Sequence, residues 1–149
     1  MERIRTVVGW LGVLGFIVLV VIASENQQFH ASFMFALLER YVPHLTVHQK
    51  YLLVFWTRKT IHVTGYAVLA LCCYYASVGT RGLRRRPFLS ALLLSLAVAS
   101  IDEFIQSFQV GRSGTVVDVA IDGIGIVLAL LLLRLIQYKY RNQAQRERD

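Results

Sequence analysis

Four apolar runs divide the chain, at about residues 7–24, 60–77, 87–107 and 116–137, with polar and mostly basic segments between them. Runs of this length cross a hydrocarbon core of about 30 Å as helices. The longest interval, Ser24 to Lys59, has its own period: Phe29, Phe33, Leu37 and Tyr41 recur at helical spacing, with Glu39 and Arg40 off that stripe. This predicts a short amphipathic helix lying in the membrane interface and ended by Pro43. Thr46-x-x-Gln49 then reads as a capping box. It opens a helix that carries Leu52, Leu53, Phe55 and Trp56 towards the second span and can join it without a break.

The remaining connections are short. Gly79 to Arg86 is a tight basic turn, and Pro87 suits the first turn of the third span, where its missing N–H costs nothing. Gln109 to Gly114 is a loop, Thr115-x-x-Asp118 caps the fourth span, and residues 138–149 form a polar tail expected to fray. The expected fold class is therefore all-α. It is one membrane domain over residues 1–149, a four-helix bundle with an extra amphipathic helical segment between the first and second spans. The first run is longer than the ~7–15 residues of a signal-peptide core, so it is read as a retained helix.

Composition narrows the class without changing it. With 56% hydrophobic residues and a mean hydropathy of +0.52, a 149-residue chain is too apolar for a soluble domain. The net charge of +7 lies mainly in loops and tails beside the apolar runs. No aromatic residues interleave with these cations in a nucleic-acid-binding pattern, so a nucleic-acid partner is excluded. Arg3, Arg5, the four arginines of the basic turn and the basic tail all fall on one side. By the positive-inside rule that side is cytoplasmic and both termini lie there. Cys72 and Cys73 are adjacent, which suits neither a bridge between them nor a zinc site, and they read as core residues.

The chemistry lies at the opposite side. Asp102, Glu103 and Gln106 end the third span, Asp118 and Asp122 begin the fourth, and Arg58, Lys59, His62 and Tyr66 enter the second. Arg112 sits in the loop between the third and fourth. Ionisable groups at membrane depth are costly and face a protein interior or a watery cavity. Simpler roles exist for several of them. Asp118 suits a carboxylate at a helix N-terminus, Arg58 and Lys59 suit snorkelling, and His62 and Tyr66 suit a hydrogen-bonded pair. Asp102 and Glu103 suit neutralisation of Arg112 or Lys59. Asp122 resists such readings. It lies one turn beyond Asp118, about 6 Å deeper, and needs a donor from His62, Tyr66 or Lys59. The remaining histidines, His30, His44 and His48, have no ligand spacing and read as exposed.

These residues form three motifs in order: Arg58-Lys59-x-x-His62-x-x-x-Tyr66-Ala67-x-Leu69, Asp102-Glu103-x-x-Gln106-x-Phe108-x-x-Gly111-Arg112-Ser113-Gly114, and Asp118-x-x-x-Asp122-x-x-Gly125. In this the chain resembles the VanZ-like family of bacterial membrane proteins. It departs from many members at Val110, where a proline is common, at Asp122, often an asparagine, and near Ala129, where a second glycine occurs. The resemblance implies a multi-pass protein of the bacterial cytoplasmic membrane. The family takes its name from an accessory factor for glycopeptide (teicoplanin) resistance.

Three functions fit. The first is an accessory protein of the cell envelope, whose outward pocket binds a lipid headgroup, a lipid-linked molecule or a glycopeptide. Its ligand-binding residues are Arg58, Lys59, His62, Tyr66, Asp102, Glu103, Gln106, Arg112, Asp118 and Asp122. The second is an enzyme on a lipid-linked substrate, with His62, Asp102, Glu103 and Asp122 as catalytic candidates. No cofactor or metal is assigned to the chain. A metal variant of the enzyme would draw its ligands from His62 and Asp102, Glu103 or Asp122, a set that favours a hard cation. The third is a structural or transport component, assembled as a homo-oligomer through the small face at Gly125 and Ala129. The proposed topology predicts that a phosphatase fused after Gly111 is active and one fused after Gly82 inactive, read as enzyme activity in whole cells.

Overall fold

The computed structural model describes residues 2–25, 27–108 and 115–147, with the side chains of residues 2, 21, 23–25 and 27–31 left aside. Five helices account for nearly all of it: α1 Glu2–Glu25, α2 Gln27–Tyr41, α3 Val47–Gly79, α4 Pro87–Ser107 and α5 Val116–Arg146. No strand occurs among the described residues. Four of the helices, α1, α3, α4 and α5, are long and apolar enough to cross a membrane. Their outward residues include Leu11, Val18, Leu93, Leu128 and Leu132, all exposed in the isolated chain, as lipid-facing positions are.

The helix boundaries follow local chemistry. Thr46 and Gln49 form the expected capping box, each side chain accepting from the other's backbone N–H. Thr115 Oγ1 accepts from Asp118 N, and Pro87 occupies the first turn of α4. Between α3 and α4, Gly82 takes φ +86°, a left-handed conformation that glycine adopts without strain, and a short 3₁₀ turn over Leu83–Arg85 follows. The expected second span, about residues 60–77, falls in the C-terminal part of α3. At 33 residues that helix is about 50 Å long, well beyond a membrane's apolar thickness.

One expectation needs correction. The tail does not fray at Gln137; α5 continues to Arg146. Gln137 Nε2 donates to the Tyr74 hydroxyl at 3.0 Å, and the Gln-, Lys- and Arg-rich sequence beyond favours helix. The apolar stripe of α2 faces away from the bundle, with Phe33, Leu37 and Tyr41 exposed, as the amphipathic pattern led one to expect. Phe35 instead turns to α3, stacking on Tyr51 with ring centroids 4.9 Å apart.

Helix α3 is the hub, packed against α1, α2, α4 and α5. Its inner face (Tyr66, Leu69, Ala70, Cys73 and Ala76) is almost wholly buried. Small residues set the distances. A Cβ on Gly9 would lie 2.4 Å from Ala76 N, and one on Gly125 would lie 2.6 Å from Val63 O. The close approach expected at Gly125 is thus made by α3 of the same chain. Along α4, Ala91, Ser95, Ala99, Asp102 and Gln106 form one buried stripe.

This packing predicts a contrast between two glycines of α1. Gly9→Ala should cost about 1–3 kcal/mol, because backbone must move to admit the methyl group. Gly15, with nothing within 4 Å of an added Cβ, should accept alanine with no loss or a gain of about 0.5–1 kcal/mol. Thermal unfolding in mild detergent measures both.

Candidate functional site

The polar residues of the three motifs meet at one end of the bundle, opposite the basic turn. Helix α3 brings Arg58, Lys59, His62 and Tyr66, α4 brings Asp102, Glu103 and Gln106, and α5 brings Asp118 and Asp122. Asp102, Glu103 and Gln106 are each about 5% exposed, and Asp122 is 2% exposed. Arg112 and the loop around it lie outside the described residues.

Asp102 is the best-held carboxylate. The Tyr66 hydroxyl and Gln106 Nε2 each donate to its Oδ2 at 2.7 Å. Both donors are neutral, so they orient the carboxylate without cancelling its charge. The Tyr66 hydroxyl therefore serves Asp102 rather than His62, whose ring centroid lies 6.2 Å from that of Tyr66. Lys59 likewise takes another partner than the two acids of α4. Its ammonium pairs with Asp118, tying α3 to the first turn of α5. Asp118 thus works through its side chain as well as its place in the cap.

Asp122 meets only one of its three expected donors. His62 Nδ1 stands 4.0 Å from Asp122 Oδ2, the distance of an ion pair when the imidazole is protonated and beyond a hydrogen bond. Among the described residues that oxygen has no hydrogen-bond partner. One donor atom from each of His62, Asp102 and Glu103 also lies within 4.8 Å of the other two.

Above this cluster opens a cavity of about 600 Å³, a size typical of small-molecule sites. Its walls divide by chemistry. Phe35, Ala36, Tyr51, Val54 and Phe55 of α2 and α3 form an apolar rim, while Arg58, His62, Glu103 and Asp122 are among the groups at the polar end. Tyr66 and Asp102 do not line it and act from behind. Glu39 of α2 does line it, and its carboxylate lies 3.9 Å from Nζ of the buried Lys50. The sequence pattern did not mark Phe35, Ala36 or Glu39, since they lie off the apolar stripe of α2. The burial of Lys50 beside Glu39, which would have marked them, appears only in the fold. His44 and His48 are exposed at a turn and the start of α3, away from this cavity. His30 lies among the side chains left aside.

The hydrogen bond from Tyr66 to Asp102 predicts a measurable loss on Tyr66→Phe. Bonds to charged groups contribute about 1.5–3 kcal/mol, and unfolding of the variant should show a loss of that order. Adding Asp102→Ala should cost less than the two single changes summed, because both remove the same bond.

A protein-family model described as VanZ/LLP1 matches residues 8–137. Neither the curated proteins nor the solved structures gave a match.

Proposed function

Since the chain belongs to the VanZ/LLP1 family and carries four helices able to cross a membrane, we propose that its cavity binds the polar head of a membrane amphiphile. The observation that supports this most is the division of the cavity wall. Phe35, Tyr51 and Phe55 offer a surface for a lipid stem or sugar face, and the polar end offers both donors and acceptors. Arg58 suits a phosphate or carboxylate, which guanidinium groups bind in bidentate fashion. Glu103 and Asp122 suit hydroxyl or amino groups of the same head. A headgroup carrying phosphate together with sugar or amine matches that mixture, and a lipid-linked precursor of the envelope is the class that combines them. In this role the protein sits in the bacterial cytoplasmic membrane with the cavity outward. An accessory effect on glycopeptide susceptibility then arises from holding such a lipid.

A second reading, acid–base catalysis on the same class of lipid, draws on the placement of His62 beside Asp122. In it His62 takes a proton from water and the buried carboxylate stabilises the imidazolium. Turnover of a labelled lipid that is lost on His62→Ala would establish this reading over simple binding.

Native mass spectrometry of the full chain in mild detergent tests the binding. A phosphate-bearing lipid should remain bound to the wild type. Occupancy should fall at least tenfold in Ala36→Trp, which fills the cavity from α2, and in Arg58→Glu. Equal occupancy in wild type and both variants would remove the cavity from consideration.

A further inference from the structure

We propose that His62, Asp102, Glu103 and Asp122 form a divalent-cation site at the floor of the cavity. The site goes beyond the headgroup reading and does not depend on it, since the ligands are all side chains of this protein.

The first support is geometric. Donors bound to one small cation at about 2.0–2.6 Å lie within roughly 5 Å of each other. One donor atom each from His62, Asp102 and Glu103 meets that condition, with mutual separations under 4.8 Å. They come from two helices, α3 and α4, and Asp122 adds a third.

The second support is independent of that clustering. Asp122 is 2% exposed, and its Oδ2 has no hydrogen-bond partner among the described residues. That oxygen lies 4.0 Å from Nδ1 of His62, a member of the cluster. A buried carboxylate oxygen left in this state is rare, because such groups are almost always hydrogen-bonded or bound to metal. An ion between Asp122 and His62 would give that oxygen a partner.

Charge points the same way. Asp102, Glu103 and Asp122 bring three carboxylates together in a setting of low polarity, and Lys59 is engaged with Asp118. Arg58 lines the same cavity as Glu103 and Asp122. The hydrogen bonds that Asp102 accepts are those of an outer shell. Tyr66 and Gln106 both bond Oδ2, which leaves Oδ1 for a ligand. Groups that orient a ligating carboxylate in this way commonly support metal sites.

The donor set selects the ion. Carboxylate oxygens suit Mg²⁺, Ca²⁺ and Mn²⁺, whereas imidazole suits later transition metals. Mn²⁺ accepts both, so it is the probe of choice. The side chains leave room for further ligands from the cavity, where a phosphate oxygen or water completes the coordination.

The full chain, purified in mild detergent and stripped with EDTA, is titrated with Mn²⁺ and followed by loss of the free-ion resonance signal. We expect saturable uptake near one ion per chain. Glu103→Gln and Asp122→Asn should each weaken it at least tenfold, and His44→Ala, at an exposed turn, should not change it. Mn²⁺ should also raise the melting temperature of the wild type and leave that of Asp122→Asn unmoved. Absence of saturable uptake by the wild type overturns the site. So does uptake that survives both carboxylate changes, or that falls equally with His44→Ala. Should Asp122→Asn fail to fold, the wild-type stoichiometry and Glu103→Gln decide the matter. Because the titration reads the ion and mass spectrometry reads the lipid, failure of the one leaves the headgroup reading standing, and the reverse also holds.

Discussion

The backbone approach of α3 to α5 at Val63 and Gly125 governs the rest of this molecule. Only a glycine at position 125 leaves space there, since any Cβ would press on the Val63 carbonyl. His62 is the neighbour of Val63, and Asp122 lies almost one turn before Gly125. Fixing the two helices at this point therefore fixes the imidazole beside the carboxylate. Gly9 does the same for α1 against α3. In a membrane, where apolar surface gains little by leaving lipid for protein, such close packing is what holds helices together.

The polar end is a consequence of that frame. Carboxylates at the depth of Asp102 and Asp122 are tolerated only when turned inward and given partners. The structure meets this unevenly. Asp118 has the Lys59 ammonium, and Asp102 has two neutral donors. Asp122 has an imidazole just beyond hydrogen-bonding distance. Of these three carboxylates the one without a hydrogen bond at one oxygen, Asp122, is also the most deeply buried, and it adjoins the cavity.

Helix α2 adds the other half of the site. Its stripe of Phe33, Leu37 and Tyr41 is exposed, and its opposite face lines the cavity over α3. One short helix thus presents apolar side chains outward and carries part of the cavity wall.

Much of this was legible in the sequence because the physics is local. Four long apolar helices, the Thr46–Gln49 capping box, Pro87 at a helix start and the basic turn depend on residues near one another, and each appears in the structure. So does the convergence of His62, Tyr66, Asp102, Glu103 and Asp122, because a chain that reverses direction at each turn brings the end of one long helix and the start of the next to the same side. What the sequence left open were the pairings and the faces. It named His62, Tyr66 and Lys59 as donors for Asp122, yet Tyr66 turned to Asp102 and Lys59 to Asp118. It assigned the apolar face of α2 to the interface but did not show that Phe35, Ala36 and Glu39 would line the cavity. Those outcomes rest on helix rotations of tens of degrees and shifts of a few ångströms, which only the packing of small residues against a neighbouring backbone decides.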